Sequence, residues 1–113
     1  MRVLVCGSRT WWDPASLRER LAELPDDTEI IQGGAGGADK LAHEFAGDYA
    51  MVSRTFPADW ENHGKRAGII RNLTMLDEHP DLVIAFWDGE SPGTKHTITE
   101  AQRRGIPVEV ISA

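Results

Sequence analysis

Apolar residues follow two rhythms along this chain. Val3-Leu4-Val5 and Leu82-Val83-Ile84-Ala85-Phe86 are runs without polar alternation, which suits strands buried on both faces. Leu41-Ala42-Phe45-Ala46 instead repeats at three- and four-residue spacing, as a helix with one buried face does. The pattern predicts strands over about 2–6, 28–32, 51–56, 82–87 and 107–111, and helices over about 14–23, 38–48, 66–77 and 94–104. Local punctuation agrees. Asp13-Pro14 supplies a cap and a first-turn proline, Pro25 lies beyond that helix, and Gly105 with Pro107 closes the last one. Strands separated by helices imply an α/β fold: a single Rossmann-like three-layer sandwich with a five-stranded, mainly parallel sheet, one domain over residues 1–113.

Ligands of open α/β sheets bind beyond the carboxyl ends of the strands. Those positions hold Gly7-Ser8-Arg9-Thr10, the Gly33–Asp39 loop, Ala58-Asp59-Trp60 and Asp88–Thr94. The second is the most informative. Gly33, Gly34, Gly36 and Gly37 interrupt a β-branched strand and lead straight into a helix, where bare backbone and free N–H groups could receive an anion. A flexible linker seldom has such flanks. The expected arrangement is a phosphate along Gly33–Gly37, completed by Arg71 or Arg9, whose guanidinium groups match it bidentately; both arginines could also be ion-pair partners. Asp39 reads as a cap or loop brace, because a carboxylate repels a phosphate held by the same turn. Asp59 either contacts a ribose or bonds its own loop, and Trp60 either stacks on a base or wedges into the core. Thr94 is expected to cap its helix and to donate to phosphate. Trp11, Trp12 and Trp87 read as packing or interface residues.

Neither the lysine-bearing phosphate loop nor the dinucleotide-fold glycine spacing occurs. Composition is that of an ordinary globular protein, at 41% hydrophobic and 27% charged residues. No apolar run approaches the roughly 20 residues of a membrane span, and the apolar N-terminus is too short for a signal peptide, so a cytoplasmic location is expected. Cys6 is the only cysteine, which rules out an internal disulfide or thiolate cluster and suits a small core residue. The histidines lack metal-ligand spacing, so neither metal nor cofactor is expected. A net charge of −6 disfavours a broad grip on nucleic acid. Its distribution is uneven: Asp13, Glu19, Glu23, Asp26, Asp27 and Glu29 crowd one stretch, whereas His63–Asn72 carries Lys65, Arg66 and Arg71 without an acid. That patch suits a small anionic ligand.

Gly7-Ser8-Arg9, Gly33-Gly34-Ala35-Gly36-Gly37-Ala38-Asp39, Phe56-Pro57-Ala58-Asp59-Trp60, Gly64-Lys65, Ala67-Gly68-Ile69-Ile70-Arg71-Asn72 and Gly93-Thr94 together resemble the YspA-like, cpYpsA-related branch of the SLOG superfamily. Its relatives include the LOG phosphoribohydrolases and the DNA-processing protein DprA. The resemblance implies a nucleotide site drawn from Gly7, Ser8, Arg9, Gly33, Gly34, Gly36, Gly37, Asp39, Asp59, Trp60, Lys65, Arg71, Asn72, Gly93 and Thr94. LOG enzymes carry a Pro-Gly-Gly-x-Gly-Thr-x-x-Glu motif with a catalytic carboxylate. Here the stretch is Glu90-Ser91-Pro92-Gly93-Thr94-Lys95-His96-Thr97, so the glutamate position is Thr97, and Glu100 and Asp59 are the remaining carboxylates in reach. Three functions follow in order: a binding or sequestering module for an adenine- or ribose-containing nucleotide of the NAD or ADP-ribose type, a LOG-like phosphoribohydrolase, and a DprA-like DNA-associated protein. SLOG relatives commonly pair, which implies a homodimer through the 66–77 helix and its Ile69, Ile70, Leu73, Met75 and Leu76.

Overall fold

The computed structural model describes residues 1–112; Ala113, the last residue of the expected domain, lies outside them. Strands β1 (Arg2–Gly7), β2 (Glu29–Gln32), β3 (Val52–Thr55), β4 (Leu82–Trp87) and β5 (Val108–Ser112) form one sheet in the order β3-β2-β1-β4-β5. Every neighbouring pair is parallel, and the chain adopts the expected Rossmann-like α/β fold. Between the strands lie α1 (Pro14–Leu21), α2 (Ala38–Asp48), α3 (Trp60–His63), a 3₁₀ turn (Gly64–Arg66), α4 (Ala67–Leu76) and α5 (Pro92–Arg103). Among the described residues no helix is long and apolar enough to cross a membrane.

Successive strand residues point to opposite faces, and the two cores divide accordingly. Val3, Val5, Ile30, Ile84 and Phe86 pack with Leu17 and Leu21 of α1 and Phe45 of α2. Leu4, Cys6, Ile31, Val83 and Ala85 pack with Met75 and Leu76 of α4 and Ile98 and Ala101 of α5. Trp11 joins the first core edge-on to Phe86 at 5.5 Å, its indole N–H donating to the Asp13 carbonyl. Phe45 has no exposed surface, so truncation to Ala would cost about 3–5 kcal/mol.

Two boundaries moved for identifiable reasons. The last helix starts at Pro92 with Ser91 at the cap position, so Thr94 sits inside the first turn and does not cap it. Residues 60–66 form α3 and the 3₁₀ turn rather than a loop, because Asp59 accepts from the Asn62 N–H at 3.2 Å and closes a turn that no apolar periodicity announces. The wide apolar stripe expected on the 66–77 helix is narrower in fact: Met75 and Leu76 are consumed by the core, Ile70 and Leu73 are half-buried, and Ile69 is exposed.

Candidate functional site

The sheet order reverses between β1 and β4, and there, on the α4 and α5 side, a cavity of about 540 Å³ opens. That is within the range of small-ligand sites. Cys6, Gly7 and Met75 contribute from the core side. Lys65, Gly68, Ile69, Arg71 and Asn72 line one flank with Trp60, Ser91–Thr94, His96 and Thr97 the opposite one, and Arg9, Thr10, Ala35 and Asp39 the remainder. Nine residues expected from sequence thus share one cavity: Gly7, Arg9, Asp39, Trp60, Lys65, Arg71, Asn72, Gly93 and Thr94.

The glycine loop is drawn in on itself. The Gly34 N–H donates to the Gln32 side-chain carbonyl at 2.6 Å, the Ala35 N–H to Asp39 Oδ2 at 3.2 Å and the Ala38 N–H to the Ser8 carbonyl at 3.3 Å. Ser8 is itself a junction: its N–H donates to the Phe86 carbonyl, and its hydroxyl accepts from the Asp88 N–H at 3.0 Å. Ser8, Gly33, Gly34, Gly36 and Gly37 do not line the cavity; Ser8 and Gly33 are buried, Gly37 is half-buried, and Gly34 and Gly36 are exposed. Close approach explains two of these glycines. A Cβ on Gly33 would fall 2.3 Å from Arg71 Nη1, and one on Gly37 would fall 2.2 Å from the Ser8 carbonyl oxygen. Asp39 is the loop brace. Burial pushes its carboxyl above the usual range, against the opposing pull of the Ala35 N–H and the Arg71 charge.

Charge is distributed sharply. Arg2, Arg18, Arg20, Arg54, Arg103 and Arg104 each meet a carboxylate at ion-pairing distance. Among the described residues, no carboxylate lies within that distance of Arg9, Lys65 or Arg71, and these three line the cavity. Arg71 is held instead by neutral acceptors, donating to the Gly33 carbonyl at 2.7 Å and to Asn72 Oδ1 at 3.0 Å. Desolvation lowers its pKa from the ordinary arginine value. A half-buried guanidinium in that setting is poised to take up an anion.

The opposite flank offers neutral donors. Thr94 is 5% exposed, lines the cavity and has no hydrogen-bond partner for its hydroxyl among the described residues. It stands in the first turn of α5, where free N–H groups accompany it. Asn72 is buried and donates to the Gly93 carbonyl at 3.2 Å, with the His96 ring 3.5 Å away. Trp60 is 53% exposed on the rim, so of its two readings the core wedge is set aside.

Carboxylates are scarce here. Thr97, at the LOG glutamate position, is buried and donates to the Gly93 carbonyl at 3.3 Å. Glu100 faces away, paired with Arg103 and Arg104, which hold its carboxyl down at about 2. Asp59 bonds its own loop through the Asn62 side-chain and backbone N–H groups, which lower its pKa, and it borders a separate hollow of about 220 Å³. Asp39 is the one carboxylate among the described residues lining the main cavity. Gln32, which braces the glycine loop, and His96 and Thr97, which line the cavity, were not foreseen as binding residues. For the last two a signal existed: Gly93, His96 and Thr97 share one face of α5 at three- and four-residue spacing.

A five-stranded parallel sheet with helices on both faces defines a Rossmann-like α/β domain. The solved structure of DNA processing protein A (DprA) from Streptococcus pneumoniae has the same architecture, with a TM-score of 0.83 over 99% of this chain at 19% identity. This chain spans 50% of that one. The family model described as "YspA, cpYpsA-related SLOG family" matches residues 1–63. The Gene 61 protein of Mycobacterium phage D29 is 40% identical over 116 residues, covering 95% of this chain and 93% of that protein. The chain belongs to the YspA, cpYpsA-related SLOG family.

Proposed function

We propose that this SLOG domain binds a small anionic nucleotide, of the adenine, ribose and phosphate type found in NAD or ADP-ribose, and acts as a sensor or sequestering module. One observation carries the reading: three cations without carboxylate partners line a single cavity, in a chain whose net charge is −6 and in which six of the seven other arginines, all but Arg66, are ion-paired. Such a cluster is electrostatically unfavourable until an anion enters. In this reading Arg71, Arg9 and Lys65 hold the phosphates, Thr94 and the start of α5 add neutral donors, and Trp60 gives the base a stacking surface. Gly93 leaves open space for close backbone approach, Gly7 is fitted against the Phe86 carbonyl and Ala38, and Asn72 fixes the α5 flank.

Binding without turnover is favoured over LOG-like hydrolysis by the carboxylate positions. Stabilising or activating the groups of an N-glycoside cleavage needs a carboxylate beside the sugar. Thr97 cannot supply one, Glu100 and Asp59 are engaged elsewhere, and Asp39, which does line the cavity, braces the glycine loop through the Ala35 N–H while burial pushes its carboxyl toward the protonated form. The likeness to DprA supports a second reading, association with DNA, to which Arg9, Lys65, Arg66 and Arg71 would contribute a basic strip. A homodimer is proposed through Trp60 and Ile69, exposed at 53% and 46% beside the cavity.

Calorimetric titration with AMP, ADP, NAD and ADP-ribose tests the proposal. At least one should bind, and Arg71→Met should weaken it about tenfold or more, as loss of a charge-assisted pair does. No binding of any of the four at millimolar concentration refutes the reading. Tight, salt-sensitive binding of single-stranded DNA that nucleotides do not compete would favour the second one.

A further inference from the structure

Asp39 carries a half-used carboxylate. Oδ2 accepts from the Ala35 N–H at 3.2 Å, and the Gly33 N–H also stabilises the group. Among the described residues no donor hydrogen-bonds the second oxygen, Oδ1, and no cation lies within ion-pairing distance. Yet the residue is only 6% exposed and lines the cavity. Oδ1 is not among the polar atoms sealed from solvent, so it is open to a donor that enters the cavity with a ligand. A phosphate cannot be that partner, because like charges repel most strongly where solvent is scarce. The charges of Arg71 and Arg9 reach Asp39, so a phosphate held by them would stand beside it rather than on it. In a nucleotide the group next to the phosphate is the sugar, and its hydroxyls are neutral donors.

We propose that Asp39 is the specificity-determining residue of this cavity: its Oδ1 accepts a hydrogen bond from a ribose hydroxyl, so the site distinguishes ribonucleotides from deoxyribonucleotides. This rests on the nucleotide reading given above. It also explains how an acid is tolerated in a pocket for anions, since it addresses the sugar and leaves the phosphates to the three cations.

The test is calorimetric titration of the wild-type protein with AMP, 2′-deoxy-AMP and 3′-deoxy-AMP, repeated with Asp39→Asn, together with inorganic phosphate as a second probe. At least one deoxy analogue should bind about tenfold or more weakly than AMP, the loss expected for a hydrogen bond to a charged acceptor. In Asp39→Asn that gap should shrink below about threefold while inorganic phosphate binds more tightly, because a negative charge beside Arg71 and Arg9 is gone. A misfolded variant would weaken both ligands, so the opposite signs separate the proposed role from structural damage. If wild-type protein binds AMP and both deoxy analogues equally well, or if Asp39→Asn keeps the gap, this inference is overturned and the nucleotide reading stands. If AMP does not bind, this inference falls; if ADP, NAD and ADP-ribose fail to bind as well, the nucleotide reading falls with it.

Discussion

Gly37→Ala and Gly36→Ala differ by one position and should differ greatly in effect. Gly37 has φ 64° and ψ −125°, a backbone region that L residues with a Cβ rarely enter, at a cost of about 1–3 kcal/mol. Its Cβ would also fall 2.2 Å from the Ser8 carbonyl oxygen and 2.5 Å from the Arg9 carbonyl carbon and oxygen. That backbone cannot give way cheaply, since the Ser8 carbonyl accepts from the Trp11 and Ala38 N–H groups and the Ser8 hydroxyl ties the loop to Asp88. Conformational strain and collision together should cost about 3–5 kcal/mol, a large share of the ~5–15 kcal/mol that holds a domain of this size. A loss of that size lowers the melting midpoint by about 10–20 °C. Gly36, by contrast, lies outside the left-handed region, and the nearest atom to its Cβ is the Arg9 carbonyl oxygen at an ordinary 3.7 Å. Gly36→Ala should change stability by no more than about 0.5 kcal/mol, or raise it slightly by restricting the unfolded chain. Thermal melts of the two variants beside wild type make the comparison. Equal destabilisation by both, or a Gly37→Ala midpoint within about 3 °C of wild type, would refute the strain assigned to Gly37.

Three further outcomes are expected. Asp39 has its pKa raised in the fold, so folding favours its protonated form; its unfavourable contribution grows as pH rises from the usual carboxylate range through the raised value, and Asp39→Asn should flatten the stability–pH curve over that window in denaturant melts. Incubation with nucleoside monophosphates followed by chromatography should show no enzyme-dependent release of free base, and release at about 1 s⁻¹ or faster would return the hydrolase reading to first place. Light scattering should show a dimer at micromolar concentration that Ile69→Glu splits; a wild-type monomer removes the pairing proposal.

The fold was legible because parallel strands buried on both faces leave unbroken apolar runs, as in Leu82–Phe86, and the helices between them keep one apolar face. What escaped was structure fixed by single side chains. Nothing periodic marks Trp60–Arg66; the Asp59 cap makes that turn. The same limit applied at the site. Sequence pointed to four loops around one crevice, and those loops do converge, but it could not say which N–H groups of the glycine loop were already taken. That depended on Gln32, a buried strand residue whose amide reaches Gly34 on one side and the Thr55 hydroxyl at 2.6 Å on the other. Glycine clustering signalled tight backbone packing as much as a ligand, and Gly33 and Gly37 serve the packing. Conversely, the cations at Arg9, Lys65 and Arg71 could be named from loop position, whereas their lack of acidic partners emerged only when six of the other seven arginines were seen to be paired.

In the proposed complex the cavity between α4 and α5 receives a nucleotide phosphate through Arg9, Lys65 and Arg71. A crystal structure grown with saturating ADP-ribose tests it most directly. Phosphate oxygens are expected at about 2.7–3.2 Å from side-chain nitrogens of at least two of these three residues. Ligand bound elsewhere on the protein, or phosphates lying in the cavity out of reach of all three cations, would contradict it.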